Sequence, residues 1–305
     1  MPKRYLLLLI PVLVAVVEFG PRLVAGPETR TQAYFAIHRQ WVAHWPFQAG
    51  KSLPQLLLPG VMPMAPVWYE VAPHIRMKLD PEDLGPLQIL KTGQYETASF
   101  GMLRQHLPAG ATFVDVGANF GIYALRAAPL VGPAGHVIAV EPNPEALLLL
   151  QANIAASDAG MVAVAPVACS DSESTLDLYV APKANSGETS FSRTNASQEG
   201  AIAHTYRVRT RPLDDIIRES GVTRVDAIKI DVEGAEYLVL KGAQQTLDRF
   251  HPTLLVEMVE RQLRQMGTSS AELKDMLHAH GYREGGHDGL NVEFLPATAV
   301  VASGR

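Results

Sequence analysis

The chain has 305 residues, of which 19% are charged, with a net charge of −5 and a single cysteine, Cys169. The length admits one large α/β domain or such a domain with an N-terminal extension, and the acidic balance excludes a nucleic-acid phosphate backbone as the expected partner. One cysteine excludes an internal disulfide and a thiolate zinc cluster, and its apolar neighbours mark it as a buried, inert thiol.

Lys3 and Arg4 precede an uncharged apolar run from Tyr5 to Val17, and Glu18, Pro21 and Arg22 follow. The run is too short for a membrane span. Residues 1–26 therefore read as an apolar segment with three open interpretations: membrane association through residues 5–25, a helix packed on the domain, or a cleaved signal-like core. The expected location is cytoplasmic, with or without attachment to a membrane. Residues 27–70 form an extension rich in Pro and Trp without a regular period, and the main α/β domain is expected over 71–305.

His74 to Asp80 alternates as an edge strand, and Pro81 to Leu107 reads as helical with an interruption at Gly93. Thr112 to Val116 is a buried strand; the turn Gly117-Ala-Asn-Phe-Gly121 leads from it into the helical run Ile122 to Leu130. This turn lacks the first glycine of the dinucleotide fingerprint and is preceded by an acid, Asp115. A carboxylate there would repel a diphosphate at the helix N-terminus but suits an ammonium. His136 to Val140 is a second buried strand, and Glu141 stands where a nucleoside-binding α/β domain holds ribose hydroxyls. Pro144 opens the next helix, Glu145 to Ala156.

A third strand is predicted over Met161 to Ser170, and Leu176 to Val180 with Tyr206 to Thr210 as two antiparallel neighbours flanking a polar loop. There follow a helix at Pro212 to Ser220, a strand at Val225 to Asp231, a helix at Ala235 to Phe250 and a strand at Pro252 to Glu257. A helix from Ser269 to His280, capped by Ser269 or Ser270 and ended by Gly281, precedes a hairpin-like pair at Gly281 to Glu284 and Asn291 to Leu295. Strands alternating with helices predict a doubly wound, mostly parallel sheet.

Asp115, Glu141, Asp171, Asp231 and Glu257 all stand at or just past strand C-termini, the edge at which open α/β sheets bind ligands. With Gly93-Gln-Tyr-Glu96, Phe113-Val-Asp-Val-Gly-Ala-Asn-Phe-Gly121, Val140-Glu-Pro-Asn-Pro144, Leu213-Asp-Asp-Ile216 and Ile228-Lys-Ile-Asp-Val-Glu-Gly-Ala-Glu236, the sequence resembles the FkbM-type S-adenosylmethionine-dependent methyltransferases from about Gly93 to Pro296. The resemblance implies a Rossmann-like methyltransferase sheet of seven strands, the last antiparallel, with helices on both faces. It also implies O-methylation of a hydroxyl on a sugar, lipid or polyketide-type small molecule, with S-adenosyl-L-methionine as cofactor.

Carried onto this chain, the resemblance puts Asp115, Gly117, Asn119 and Gly121 nearest the methionine part of the cofactor, Glu141 on the ribose, and Ser170 and Asp171 at the adenine edge. Glu96 joins the cofactor set. Asp171 reads equally as part of a solvated turn, Glu236 as a cap, and Lys229 as the end of a buried strand. Asp231, Glu233 and Glu257 are the candidates for accepting the hydroxyl proton, in a transfer expected to need no metal; Mg²⁺ held by the same carboxylates is the alternative. An NAD-dependent oxidoreductase on the same sheet and a non-enzymatic membrane-anchored binding protein are the rival functions.

Overall fold

The computed structural model describes residues 26–44, 65–196 and 201–297; the segment 5–25, and with it the expected membrane association, lies outside them. No helix among the described residues is long and apolar enough to cross a membrane.

The described residues divide into two units, one within 1–71 and 77–95 and the other comprising 72–76 and 96–305. In the first, helix α1 (Pro27–His44) starts on a proline whose missing N–H costs nothing at a helix start. Its apolar side chains form no stripe, so periodicity did not reveal it. Strand β1 (Val67–Ala72) pairs with β2 (Ile75–Leu79) in a two-stranded ladder, and α2 (Leu84–Thr92) follows. The predicted edge strand is thus half of its own hairpin and no part of the main sheet.

The second unit contains α3 (Thr97–Arg104), β3 (Thr112–Val116), α4 (Ile122–Val131), β4 (His136–Val140), α5 (Pro144–Ala155) and β5 (Val162–Ala165). Next come β6 (Ala168–Cys169), β7 (Ser174–Val180), α6 (Arg193–Ala196), β8 (His204–Arg211), α7 (Leu213–Ser220) and β9 (Ala227–Ile230). The chain continues through α8 (Glu236–Lys241), α9 (Gln244–Phe250), β10 (Thr253–Glu257), α10 (Glu260–Gln265), α11 (Ser270–Ala279), β11 (Tyr282–His287) and β12 (Asn291–Pro296). Seven strands form one sheet in the order β11-β12-β10-β9-β3-β4-β5, with helices on both faces. All pairs from β5 to β10 are parallel, and β12 runs antiparallel to β10. Every residue of β3 and β9 is buried, as expected of central parallel strands covered on both faces.

Two predicted elements are shorter than their apolar runs. The third strand stops at Ala165 because Pro166 has no N–H to donate, and β6 leaves to join β8 and β7 in a separate sheet of order β6-β8-β7. β7 and β8 are antiparallel neighbours as predicted, but in that small sheet. The helix expected over Ala235 to Phe250 breaks at Gly242 and Ala243, and Asp214 caps the new start by accepting from Gln245 N (3.0 Å) and Thr246 N (2.8 Å). Helices α6 and α10 carry no sequence signal strong enough to predict them.

The core runs between sheet and helices through Val114, Ile138, Ile228, Leu240, Leu254 and Leu273. Each buried side chain of this size contributes roughly 1.5–3 kcal/mol. The sheet is therefore held by its apolar faces, which leaves its C-terminal edge free to carry groups that cost stability.

That edge is closed by a tight approach. Gly117 has φ +81°, and a Cβ there would lie 1.8 Å from the carbonyl oxygen of Asp231. Gly110 has the same φ of +81°, but a Cβ there would meet nothing within 4 Å. Gly117→Ala is expected to cost about 3 kcal/mol or more, and Gly110→Ala only about 1–2 kcal/mol of left-handed strain. Denaturant unfolding of both variants measures the difference; equal costs would mean that β3 and β9 do not converge at this turn.

Candidate functional site

The chain runs outward from β3 through β4 to β5 and returns to place β9 on the other side of β3. Neighbouring connections therefore diverge between β3 and β9, the place in the strand order at which open α/β sheets bind ligands. Asp115, Glu141, Asp231, Glu233 and Glu257 all emerge at this edge.

On the β3–β4 side, three of the five residues in the turn 117–121 have positive φ: Gly117 (+81°), Asn119 (+49°) and Gly121 (+92°). The turn aims Asn119 N at Glu141 Oε2 (2.7 Å), while Asn143 N donates to Oε1 (2.8 Å). Glu141 is 5% exposed, and burial pushes its pKa up to about 7 against the pull of these two donors. Asp115 accepts from Ala124 N in the first turn of α4 (2.9 Å), and its other oxygen, Oδ1, is buried without a hydrogen-bond partner. Burial raises its pKa to about 6, opposed by the charge of Lys229.

Lys229 is the register partner of Asp115 across β3 and β9. Its side chain is 4% exposed, and Nζ donates to Asp231 Oδ2 at 2.8 Å. The ammonium also lies 4.7 Å from the centre of the Tyr123 ring, whose hydroxyl donates to Glu96 Oε2 (2.6 Å). Burial alone would lower the Lys229 pKa; the charges of Asp231, Asp115 and Glu96 overcome it and hold the ammonium above its ordinary value. Read as a strand terminus in the sequence, Lys229 is instead the cation at the centre of the acids.

On the β9–β10 side, carboxylate oxygens of Asp231, Glu233 and Glu257 lie within 4.8 Å of one another. Glu233 has φ +55° in the turn after β9. Its carbonyl accepts from Ser190 Oγ (2.7 Å) and Asn195 Nδ2 (3.1 Å), and its Oε2 accepts from Gln262 Nε2. Asn195 Nδ2 also donates to the Gln262 carbonyl (3.1 Å), so three chain segments meet at this one turn. Burial, reinforced by Asp231, raises both Glu233 and Glu257 well above the ordinary carboxyl range. Glu257 Oε2 is buried and takes no hydrogen bond. Glu236 serves the turn: its Oε1 accepts from Val232 N and Gly234 N, both at 3.1 Å.

Ser170 and Asp171 follow β6 in the small sheet. Ser170 is buried, whereas Asp171 is exposed and bonded to Lys241 Nζ at 2.7 Å, which lowers its pKa. The sequence missed Lys229, Tyr123, Asn195 and Gln262. A lone charge between Ile228 and Ile230 was a usable signal for Lys229; the loop and short-helix residues offered none.

The acids have a thermodynamic consequence. Asp115 is raised to about 6, and Glu141 and Glu236 to about 7, by burial. Each stabilises the folded state fully below its unfolded value near 4 and loses that contribution as pH rises through the folded value. The lowered carboxyls of Asp171 and Glu260 lose theirs only below about pH 4. The thermal midpoint of the ligand-free chain is therefore expected to fall between about pH 5 and about pH 8. Calorimetry across that range checks it, and a midpoint that rises instead would show the edge acids to be solvated.

Comparison with known proteins agrees with this geometry. The chain is 30% identical over 206 residues to AMB antimetabolite synthetase AmbE of Pseudomonas aeruginosa, covering 58% of this chain and 10% of that protein. It is 31% identical over 165 residues to methyltransferase sdnD of Sordaria araneosa, covering 46% and 63%. Against hexuronic acid methyltransferase AglP of Haloferax volcanii the identity is 29% over 133 residues, covering 44% and 50%. The chain thus spans less than two thirds of the length of each of these relatives. The methyltransferase FkbM domain matches residues 115–284, from the acid at the end of β3 into β11 and so across the whole edge described above, and the chain belongs to the FkbM methyltransferase family.

Proposed function

We propose that the chain is an S-adenosylmethionine-dependent O-methyltransferase, with residues 71–305 as its catalytic domain and a hydroxyl on a sugar, lipid or polyketide-type molecule as acceptor. The observation that carries this reading is the pair of buried carboxylates flanking the glycine turn, Asp115 before it and Glu141 after β4, the first with an oxygen that lacks any donor. Asp115 Oδ1 suits the ammonium of the cofactor's amino-acid moiety. Glu141 accepts one N–H on each oxygen and keeps lone pairs for ribose hydroxyls. Glu96, Gly117, Asn119 and Gly121 complete this side, with Ser170 and Asp171 at the adenine edge.

S-adenosylmethionine supplies an electrophilic methyl, whose bond to sulfur breaks with the electron pair left on sulfur. The protein's part is to orient the acceptor hydroxyl and take its proton as the new carbon–oxygen bond forms. Asp231 is the proton acceptor in this reading: its side chain is 25% exposed, Lys229 Nζ donates to Oδ2 at 2.8 Å, and Oδ1 takes no hydrogen bond from the described residues. Glu233, pushed up to about 9 by burial, holds its proton near neutrality and donates a hydrogen bond to the acceptor, and burial shifts Glu257 in the same direction. The name of the relative AglP supports a sugar-type acceptor among the three classes. Cytoplasmic location, with membrane association through residues 5–25, belongs to the same proposal.

Two experiments test it. The full chain is expected to bind S-adenosylmethionine in calorimetry, and Asp115→Ala and Glu141→Ala to weaken binding by about 1–3 kcal/mol each. Undiminished affinity in both variants removes their assigned roles. In cell extract supplied with isotopically labelled cofactor, mass spectrometry should find a methylated hydroxyl product. Asp231→Asn should then cut turnover about 10²–10⁴-fold without loss of cofactor affinity, and activity should survive EDTA. Loss with EDTA and recovery with Mg²⁺ would overturn the base assignment.

A further inference from the structure

We propose that Lys229 is a positioning residue for the transfer step: its ammonium holds Asp231 by Oδ2 and so presents Oδ1, the oxygen that receives the proton, to the acceptor hydroxyl. This rests on the role given to Asp231 above. Three observations support it. First, the ammonium is fixed, not loose: Nζ lies 2.8 Å from Asp231 Oδ2 and 4.7 Å from the Tyr123 ring centre, with the side chain 4% exposed. Second, the cation stands inside a strand whose every residue is buried, where an aliphatic side chain would cost less. Third, Asp231 is held on one oxygen only, and the side chain keeps a quarter of its surface open.

A long lysine side chain has ample rotamer freedom, and here that freedom is removed from every side. Acids face the ammonium from the elements around it: Asp115 from β3, Glu96 ahead of α3, Glu141 after β4, Asp231 and Glu233 after β9 and Glu257 from β10. The Tyr123 ring closes the side toward α4. The ammonium of Lys229 thus has several carboxylates within its field and donates to one. The acid it selects keeps Oδ1 without a hydrogen bond from the described residues, whereas Glu233 is engaged by Gln262 and Glu257 has an oxygen sealed from solvent.

The test uses the full chain with Lys229→Met and Lys229→Arg. In extract with labelled S-adenosylmethionine, Lys229→Met is expected to lower methyl incorporation about 10²-fold at neutral pH, with the pH profile displaced to higher pH and calorimetric affinity for the cofactor not reduced. Lys229→Arg should restore part of the activity and the profile. A loss of cofactor affinity with an undisplaced profile would make Lys229 merely structural and overturn the proposal. A second measurement needs neither cofactor nor acceptor, so its outcome is independent of the methyltransferase reading. Potentiometric titration of Lys229→Met should show its carboxyl groups holding about one more proton near neutrality than those of the native chain, the proton of the deleted ammonium being subtracted, because the acids lose their counter-charge; an unchanged carboxyl count overturns the proposal. Should Lys229→Met fail to fold, the ¹⁵N side-chain resonance of Lys229 decides: Asp231→Asn is expected to shift it and speed its hydrogen exchange, and an unmoved resonance is the contrary result.

Discussion

The site depends on one buried cation. Lys229 lies on the central strand β9, between β3 and β10, and the carboxyls that face it come from both neighbours. At 2.8 Å and an effective dielectric of about 20, its attraction to Asp231 is roughly 6 kcal/mol before desolvation. Taking each ion from water costs several kcal/mol in return. The pair is therefore near balance and contributes order, not net stability. Without the ammonium the acids would face one another across a poorly solvated edge and take up protons instead.

What makes such an edge tolerable is the division of labour within the sheet. The apolar faces of β3, β9 and β10 are sealed by helices, and the stabilising area lies there. The C-terminal edge is then free to hold buried, raised carboxyls that oppose folding at neutral pH. Backbone N–H groups offset part of this cost: Ala124 N for Asp115, Asn119 N and Asn143 N for Glu141, and Val232 N and Gly234 N for Glu236. Each acid at this edge that serves the fold is held by backbone donors. Asp231 and Glu233 take side-chain donors instead, Lys229 Nζ and Gln262 Nε2, and Glu257 has a buried oxygen with no donor.

Glu233 shows how the separate insertion between β5 and β9 reaches the C-terminal edge of the sheet. Ser190 and Asn195 come from that insertion, Gln262 from α10, and all three hold one turn whose φ of +55° is uncommon for a residue with a side chain. Gly234 follows at φ +105°, and a Cβ there would lie 2.6 Å from Asn195 Nδ2 and 2.7 Å from the Gln262 carbonyl. The sequence Asp231-Val-Glu-Gly234 is thus shaped by what packs over it as much as by the strand that delivers it.

The sequence by itself determined the parallel sheet, the glycine turn after Asp115 and the acids at the strand ends, because each is a local pattern: buried runs of five residues, a turn needing positive φ, and a period that alternates strand with helix. Ser269 as a helix cap was legible for the same reason, since its acceptance from Glu272 N spans only three residues. The tertiary structure decided where the chain goes beyond Pro166, since Ala168 and Cys169 join another sheet only through the distant partner β8. It also decided which acids become partners. The register that sets Lys229 beside Asp115 joins residues 229 and 115, and the lock on Glu233 joins it to 195 and 262. Such pairings leave no periodic trace along the chain: burial and charge neutralisation are satisfied across strands and loops, where sequence separation carries no information about distance.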